Sequence, residues 1–182
     1  MALTRLFTAI ELPEAVQKSL LPLCAGVPGA RWSRREQMHL TLRFIGEVDE
    51  AQFAAIREAL KRARVSPFGM ALKGVGQFPP RGAPRVLWVG VQAEPGLGQL
   101  YTHIQAALKT TGIAEDTRPY APHITLARLK NAPPPESVRQ FLARHGGYES
   151  DAIVADAFTL YSSVLAPGGA TYRVEARYIL GD

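Results

Sequence analysis

Along Met38–Gly46, MHLTLRFIG, and again along Pro122–Arg128, PHITLAR, apolar and polar residues alternate one by one. Alternation with period two marks a strand with one buried face. Leu40 and Leu42, or Ile124 and Leu126, therefore face a core, while His39 with Thr41, and His123 with Thr125, share the opposite face. Arg5–Leu12, Phe68–Phe78, Arg85–Val91, Ala157–Leu165 and Thr171–Leu180 are further β-rich stretches. Between them the spacing changes to that of a helix. Val16, Leu20 and Leu23 form one apolar stripe, closed by Gly26; Phe53, Ile56, Leu60 and Ala63 form a second, opened by Asp49 and Gln52 in a capping-box pattern. Leu97, Leu100, Ile104 and Leu108 form a third, and Val138, Phe141 and Leu142 belong to a fourth that stops at Gly146-Gly147. Arg31–Gln37 leads into the first His strand, and the loop Thr117–Ala121 into the second.

The order strand, helix, His strand, helix, strand thus occurs twice, over about residues 3–78 and 85–165, with Pro79–Pro84 as the seam and 171–180 as a final strand. His39 and His123 stand at the same point of each unit. At 182 residues the chain is one domain, or two small lobes sharing a core. Repeats packed about a pseudo-twofold axis would bring both His-Thr pairs to one cleft.

Composition narrows the chemistry. Of 182 residues, one is cysteine, Cys24, so neither an internal disulfide nor a cysteine zinc site is available; Cys24 is expected to fill a small buried space. The N-terminal apolar run is broken by Arg5 and Glu11, leaving no signal-peptide core and no membrane span. A formal charge of +5 fits a polyanionic partner such as nucleic acid. No GxxxxGK[ST] loop is present, which argues against nucleotide-driven chemistry. Neither His39 nor His123 has a third ligand at a suggestive spacing, so a metal site is not expected. His103 and His145 read as an exposed helix residue and a helix C-terminal residue.

Two imidazoles that titrate near neutrality supply both halves of an acid–base reaction at a phosphodiester. Two hydroxyls beside them supply donors for the non-bridging oxygens. Arg43 alternates onto the His39 face; Arg128, five residues after His123, reaches its histidine's face only if the strand carries a bulge. Arg31, Arg34, Arg35, Arg81 and Arg85 are candidates to rim the cleft, and Trp32, Phe7 and Tyr120 to stack on a base.

The paired HLTL and HITL resemble the HxTx motifs of the 2H (two-histidine) phosphoesterases. With RLFTAIEL, VGQFP, RVLWVGV, PYAPHITLAR and FTLYSS in this order, nearly the whole chain resembles the RNA 2′,3′-cyclic phosphodiesterase family, also called 2′-5′ RNA ligase, ThpR or LigT. The resemblance implies an α+β fold in a single bilobal domain spanning 1–182, with two antiparallel-rich sheets and outer helices flanking a central cleft. It implies metal-independent hydrolysis of a terminal 2′,3′-cyclic phosphate of RNA to a 2′-phosphomonoester, with reversible ATP-independent 2′-5′ ligation as a related reaction. His39 would be the proton donor and His123 the proton acceptor; Thr41 and Thr125 would hold the phosphate, and Arg128 would contact it. Arg43, Tyr120 and Phe7 complete the candidate substrate-binding set. The expected molecule is a cytoplasmic monomer without metal or cofactor, whose partners are RNA ends bearing a cyclic phosphate. Its rivals are a non-catalytic RNA-binding module of the same fold, and a phosphodiesterase for another cyclic phosphate or for 2′-5′ oligonucleotides.

Overall fold

In the computed structural model, which describes residues 3–181, the two His strands run side by side. In chain order the elements are β1 (Thr4–Glu11), α1 (Glu14–Leu20), β2 (Ala30–Trp32), β3 (His39–Val48), α2 (Glu50–Ala59), β4 (Phe68–Phe78), β5 (Val86–Ala93), α3 (Gly96–Lys109), β6 (His123–Leu129), α4 (Pro135–His145), β7 (Ile153–Ala155), β8 (Ala157–Ala166) and β9 (Gly169–Ile179). All strand pairs are antiparallel, and the path across the sheet is β7-β4-β5-β6-β3-β1-β8-β9, with β2 also on β6.

This path is two quasi-equivalent lobes, β3-β1-β8-β9 and β6-β5-β4-β7, whose central strands β3 and β6 meet in the ladder where Leu40 pairs with Ile124. The expected pair of sheets is therefore present, stitched into one curled sheet at its middle. The third strand of each repeat is exchanged: β4 pairs with β5 of the second repeat, and β8 with β1 of the first. Pro79–Pro84 consequently closes a hairpin inside one lobe rather than dividing the lobes.

Helices cover the outer faces. Asp49 caps α2, its side chain accepting from the Gln52 N–H at 2.8 Å, a contact worth about 1 kcal/mol. Ile56, Leu60, Leu100, Ile104 and Leu108 are buried, as their helical spacing predicts. Tyr178 of β9 donates to the Arg57 carbonyl of α2, while Trp32 of β2 packs on Phe141 of α4. Leu40, Leu42, Ile124 and Leu126 lie fully inside the core, each contributing roughly 1.5–3 kcal/mol by burial. That burial pins the register of both His strands, because a slip of one residue would turn the leucines out and the histidines in. The short strands β2 and β7 carry too few residues to show a period in the sequence.

Candidate active site

Antiparallel register around the Leu40–Ile124 pair sets Thr41 opposite His123 and His39 opposite Thr125. The four side chains form a quadrangle on one face, with the imidazoles on its diagonal, a relation that spans about 7–8 Å in a regular ladder. Their shared electrostatics fit this placement: charge on His123 and on Arg128 opposes protonation of His39, and charge on Arg128 opposes that of His123.

Both rings are held by one device. His123 Nδ1 lies 2.7 Å from the carbonyl oxygen of Ala121, and His39 bonds the carbonyl of Gln37. Each acceptor stands two residues before its histidine. An Nδ1–H donated to a carbonyl leaves Nε2 as the working nitrogen, and His39 Nε2 lies 3.0 Å from Thr41 Oγ1. Burial pushes His39 down from its ordinary value of 6.5 to about 4, against the raising effect of the Gln37 carbonyl and with the help of Arg128 and His123. His123 is lowered as well, first by burial and then by Arg128, with the Ala121 carbonyl opposing. Both imidazoles are thus neutral at neutral pH in the free protein.

Matching aromatic seats support the rings. His39 stacks on Phe7 at 5.0 Å between centroids and meets the edge of Tyr172 at 5.3 Å. His123 meets Phe78 at 4.9 Å, with Trp88 beyond it at 6.4 Å. Gly76 makes room for that indole, since a Cβ there would sit 2.2 Å from Trp88.

Beyond each HxT the two strands carry the same irregularity. In β6, Thr125 faces Trp88 and Ala127 faces Leu87, so Leu126 is an extra residue; in β3, Thr41 faces Ala9 and Arg43 faces Thr8, so Leu42 is extra. Each bulge reverses the alternation. Arg128 comes onto the catalytic face, as its place in the motif required. Arg43 leaves it, correcting the expectation from strict alternation. Its guanidinium turns to the α3 side, where it donates to Gln105 Oε1 at 2.7 Å and the Ala114 carbonyl at 2.6 Å and pairs with Asp116 at 3.5 Å. The fifth residue after His39 is Phe44, the positional equivalent of Arg128, and it sits beside Phe7 with 59% of its surface exposed.

Two further expectations need correction. Phe7 is 2% exposed, enclosed by His39, Phe44, Tyr161 and Tyr172, so it seats the histidine and has no face for a base. Tyr120 stacks on Tyr101 at 4.3 Å and donates to the Thr41 carbonyl at 3.0 Å, which turns it away from the substrate side. Of the arginines named as a rim, Arg31 donates to the Pro167 carbonyl, Arg35 pairs with Glu14, and Arg34 pairs with Glu36 while lying close enough to Tyr172 to stabilise its phenolate. Phe44, Tyr161, Tyr172, Phe78 and Trp88 were not among the sequence candidates. Aligning HLTLRF on HITLAR would have found Phe44, because it falls on Arg128. Among the described residues no group of three or more His, Cys, Asp or Glu is placed to hold a metal ion, and no helix is long and apolar enough to cross a membrane.

Duplicated lobes that each deliver one histidine and one threonine to a common seam are the architecture of a two-histidine phosphoesterase. The sequence matches the family described as LigT like Phosphoesterase twice, over residues 10–88 and 89–172, and the chain belongs to that family. It is similar to the RNA 2′,3′-cyclic phosphodiesterases of Archaeoglobus fulgidus (32% identity over 172 residues, 93% of this chain and 96% of that one) and Thermotoga maritima (35% over 176 residues, 93% and 92%). Escherichia coli LigT in complex with 3′-AMP has the same fold, with a TM-score of 0.79 and 29% identity over all of both chains.

Proposed function

We propose that this protein is a metal-independent RNA 2′,3′-cyclic phosphodiesterase. The observation that carries the reading is the diagonal pair of imidazoles, each bonded to the carbonyl two residues before it, with His39 Nε2 against the Thr41 hydroxyl and His123 Nδ1 tied to the Ala121 carbonyl. A cyclic phosphate seated between them is attacked by water. His123 Nε2 takes the water's proton as the new P–O bond forms. The P–O3′ bond breaks, and His39 Nε2–H delivers its proton to O3′, leaving a 2′-phosphomonoester and a 3′-hydroxyl. Thr41, Thr125 and Arg128 donate to the non-bridging oxygens, where charge develops.

The lowered pKa of His39 sets a condition on this cycle. The free site is neutral, so the acid acquires its proton with the substrate, whose anionic phosphate opposes the effect of burial. Phe44, exposed next to the His39 seat, gives the terminal base a face to stack on. The names of the relatives support RNA as the substrate.

The test is a short RNA ending in 2′,3′-cyclic phosphate, incubated in EDTA, with the monoester position identified. Hydrolysis to the 2′-phosphate, undiminished by chelator and abolished in both His39→Ala and His123→Ala, is expected. Full activity in either variant refutes the proposal; salt-sensitive RNA binding without turnover would favour the binding-module reading instead.

A further inference from the structure

Among the described residues a single ladder pair, Leu40–Ile124, joins β3 to β6, the strands that carry the two histidines, while the β2 segment leading into β3 pairs with the far end of β6. Two side-chain hydroxyls cross the same junction. Ser33 Oγ, six residues before His39, donates to the Thr125 carbonyl at 2.9 Å. Tyr120 Oη, three residues before His123, donates to the Thr41 carbonyl at 3.0 Å. The relation is reciprocal. Each donor lies on the segment entering one His strand, and each acceptor is the threonine carbonyl of the other HxT.

From this we infer that Ser33 and Tyr120 are paired positioning residues, which set the gap across which the two imidazoles share one phosphate. The inference rests on the acid–base reading above and explains how β3 and β6, which share a single ladder pair, hold that geometry.

Both donors are themselves fixed. Ser33 N–H donates to the Leu126 carbonyl at 2.7 Å, so its hydroxyl arrives on a strand-like segment already anchored to β6. The Tyr120 ring lies on Tyr101, whose hydroxyl accepts from Gln105 Nε2 at 3.0 Å. Gln105 Oε1 in turn accepts from Arg43 Nε. A closed circuit therefore runs from Arg43 of β3 through α3 to Tyr120 and back to Thr41 of β3. Burial holds the Tyr120 phenol well above its ordinary range, so it remains a donor wherever the enzyme is folded. Neither hydroxyl is needed to keep its residue in place. Ser33→Ala retains the main-chain bond to Leu126, and Tyr120→Phe retains the stack on Tyr101.

Steady-state kinetics on the cyclic-phosphate RNA end test the assignment with Ser33→Ala, Tyr120→Phe and the combined variant. A misplacement approaching 1 Å costs on the order of 100-fold in rate. Each single change is expected to lower kcat about tenfold and the pair about a hundredfold, with KM within about threefold of wild type. Ser33→Thr, which restores a hydroxyl, should recover most of the loss. A second readout is independent of turnover: NMR titration of His39 in the folded combined variant should move upward, because an opened seam admits water. A folded combined variant with wild-type kcat, or with an unchanged His39 titration, overturns the inference. If the combined variant does not fold, Ser33→Ala carries the test alone. If wild type shows no turnover, the acid–base reading fails, and the titration still decides the clamp.

Discussion

A histidine held neutral by burial makes the protein sensitive to mild acid in a way that can be assigned to one side chain. His39 is lowered from 6.5 to about 4 in the folded protein, while in the unfolded chain it returns to its ordinary value. Between these two values the unfolded state binds a proton that the native state refuses, so stability rises with pH and is lost as pH falls through this window. Integrating both titrations from pH 7 to pH 5 gives a loss of about 2 kcal/mol from His39 alone. For a domain of this size that corresponds to a fall of about 4–8 °C in Tm. The perturbation is His39→Asn, which removes the titrating group. Melting curves by circular dichroism at both pH values, for both proteins, isolate the effect as a difference of differences. His123 and His145, also lowered by burial, contribute to both proteins and largely cancel. The variant should lose about 2 kcal/mol less than wild type on acidification. Equal losses in the two proteins would show that His39 is not held neutral, and with it would go the argument that substrate brings the acid its proton.

Arg128→Ala should lower kcat/KM by about 100- to 1,000-fold with little change in Tm, whereas Arg43→Ala should lower Tm, with the partners Gln105 and Asp116 left unsatisfied, and leave Arg128's function in place. Phe44→Ala should weaken product binding by the worth of one base stack, about 1–3 kcal/mol in a fluorescence or calorimetric titration; Phe7→Ala should instead destabilise the fold by about 3–5 kcal/mol in denaturant melts. Gly76→Ala, whose new methyl would meet the Trp88 indole, should cost about 1–3 kcal/mol of stability and reduce activity by displacing the ring behind His123. Equal effects of Arg128→Ala and Arg43→Ala on turnover, of Phe44→Ala and Phe7→Ala on stability, or a silent Gly76→Ala would each contradict the placement described.

Local pattern was enough for the skeleton of this molecule. Period-two alternation at HLTL and HITL placed each histidine with its threonine against two buried aliphatic residues, and helical stripes identified the residues that cover the sheet, because both periods are fixed by backbone geometry within a few residues. Repetition of the order of elements announced two lobes. The sequence alone did not decide which arginine shares the histidines' face, or which phenylalanine lies open beside it. Those choices hang on the bulges at Leu42 and Leu126, which shift β3 against β1 and β6 against β5. A bulge is a mismatch between strands remote in the chain, and neither heptad of residues around the histidines carries a local mark of it. The exchange of β4 and β8 between lobes, and the hydroxyls of Ser33 and Tyr120 that reach across the junction, are equally long-range. The chemical groups of the site were legible from the chain; their phase, spacing and seating were settled by pairing with strands far away, whose burial no local period encodes.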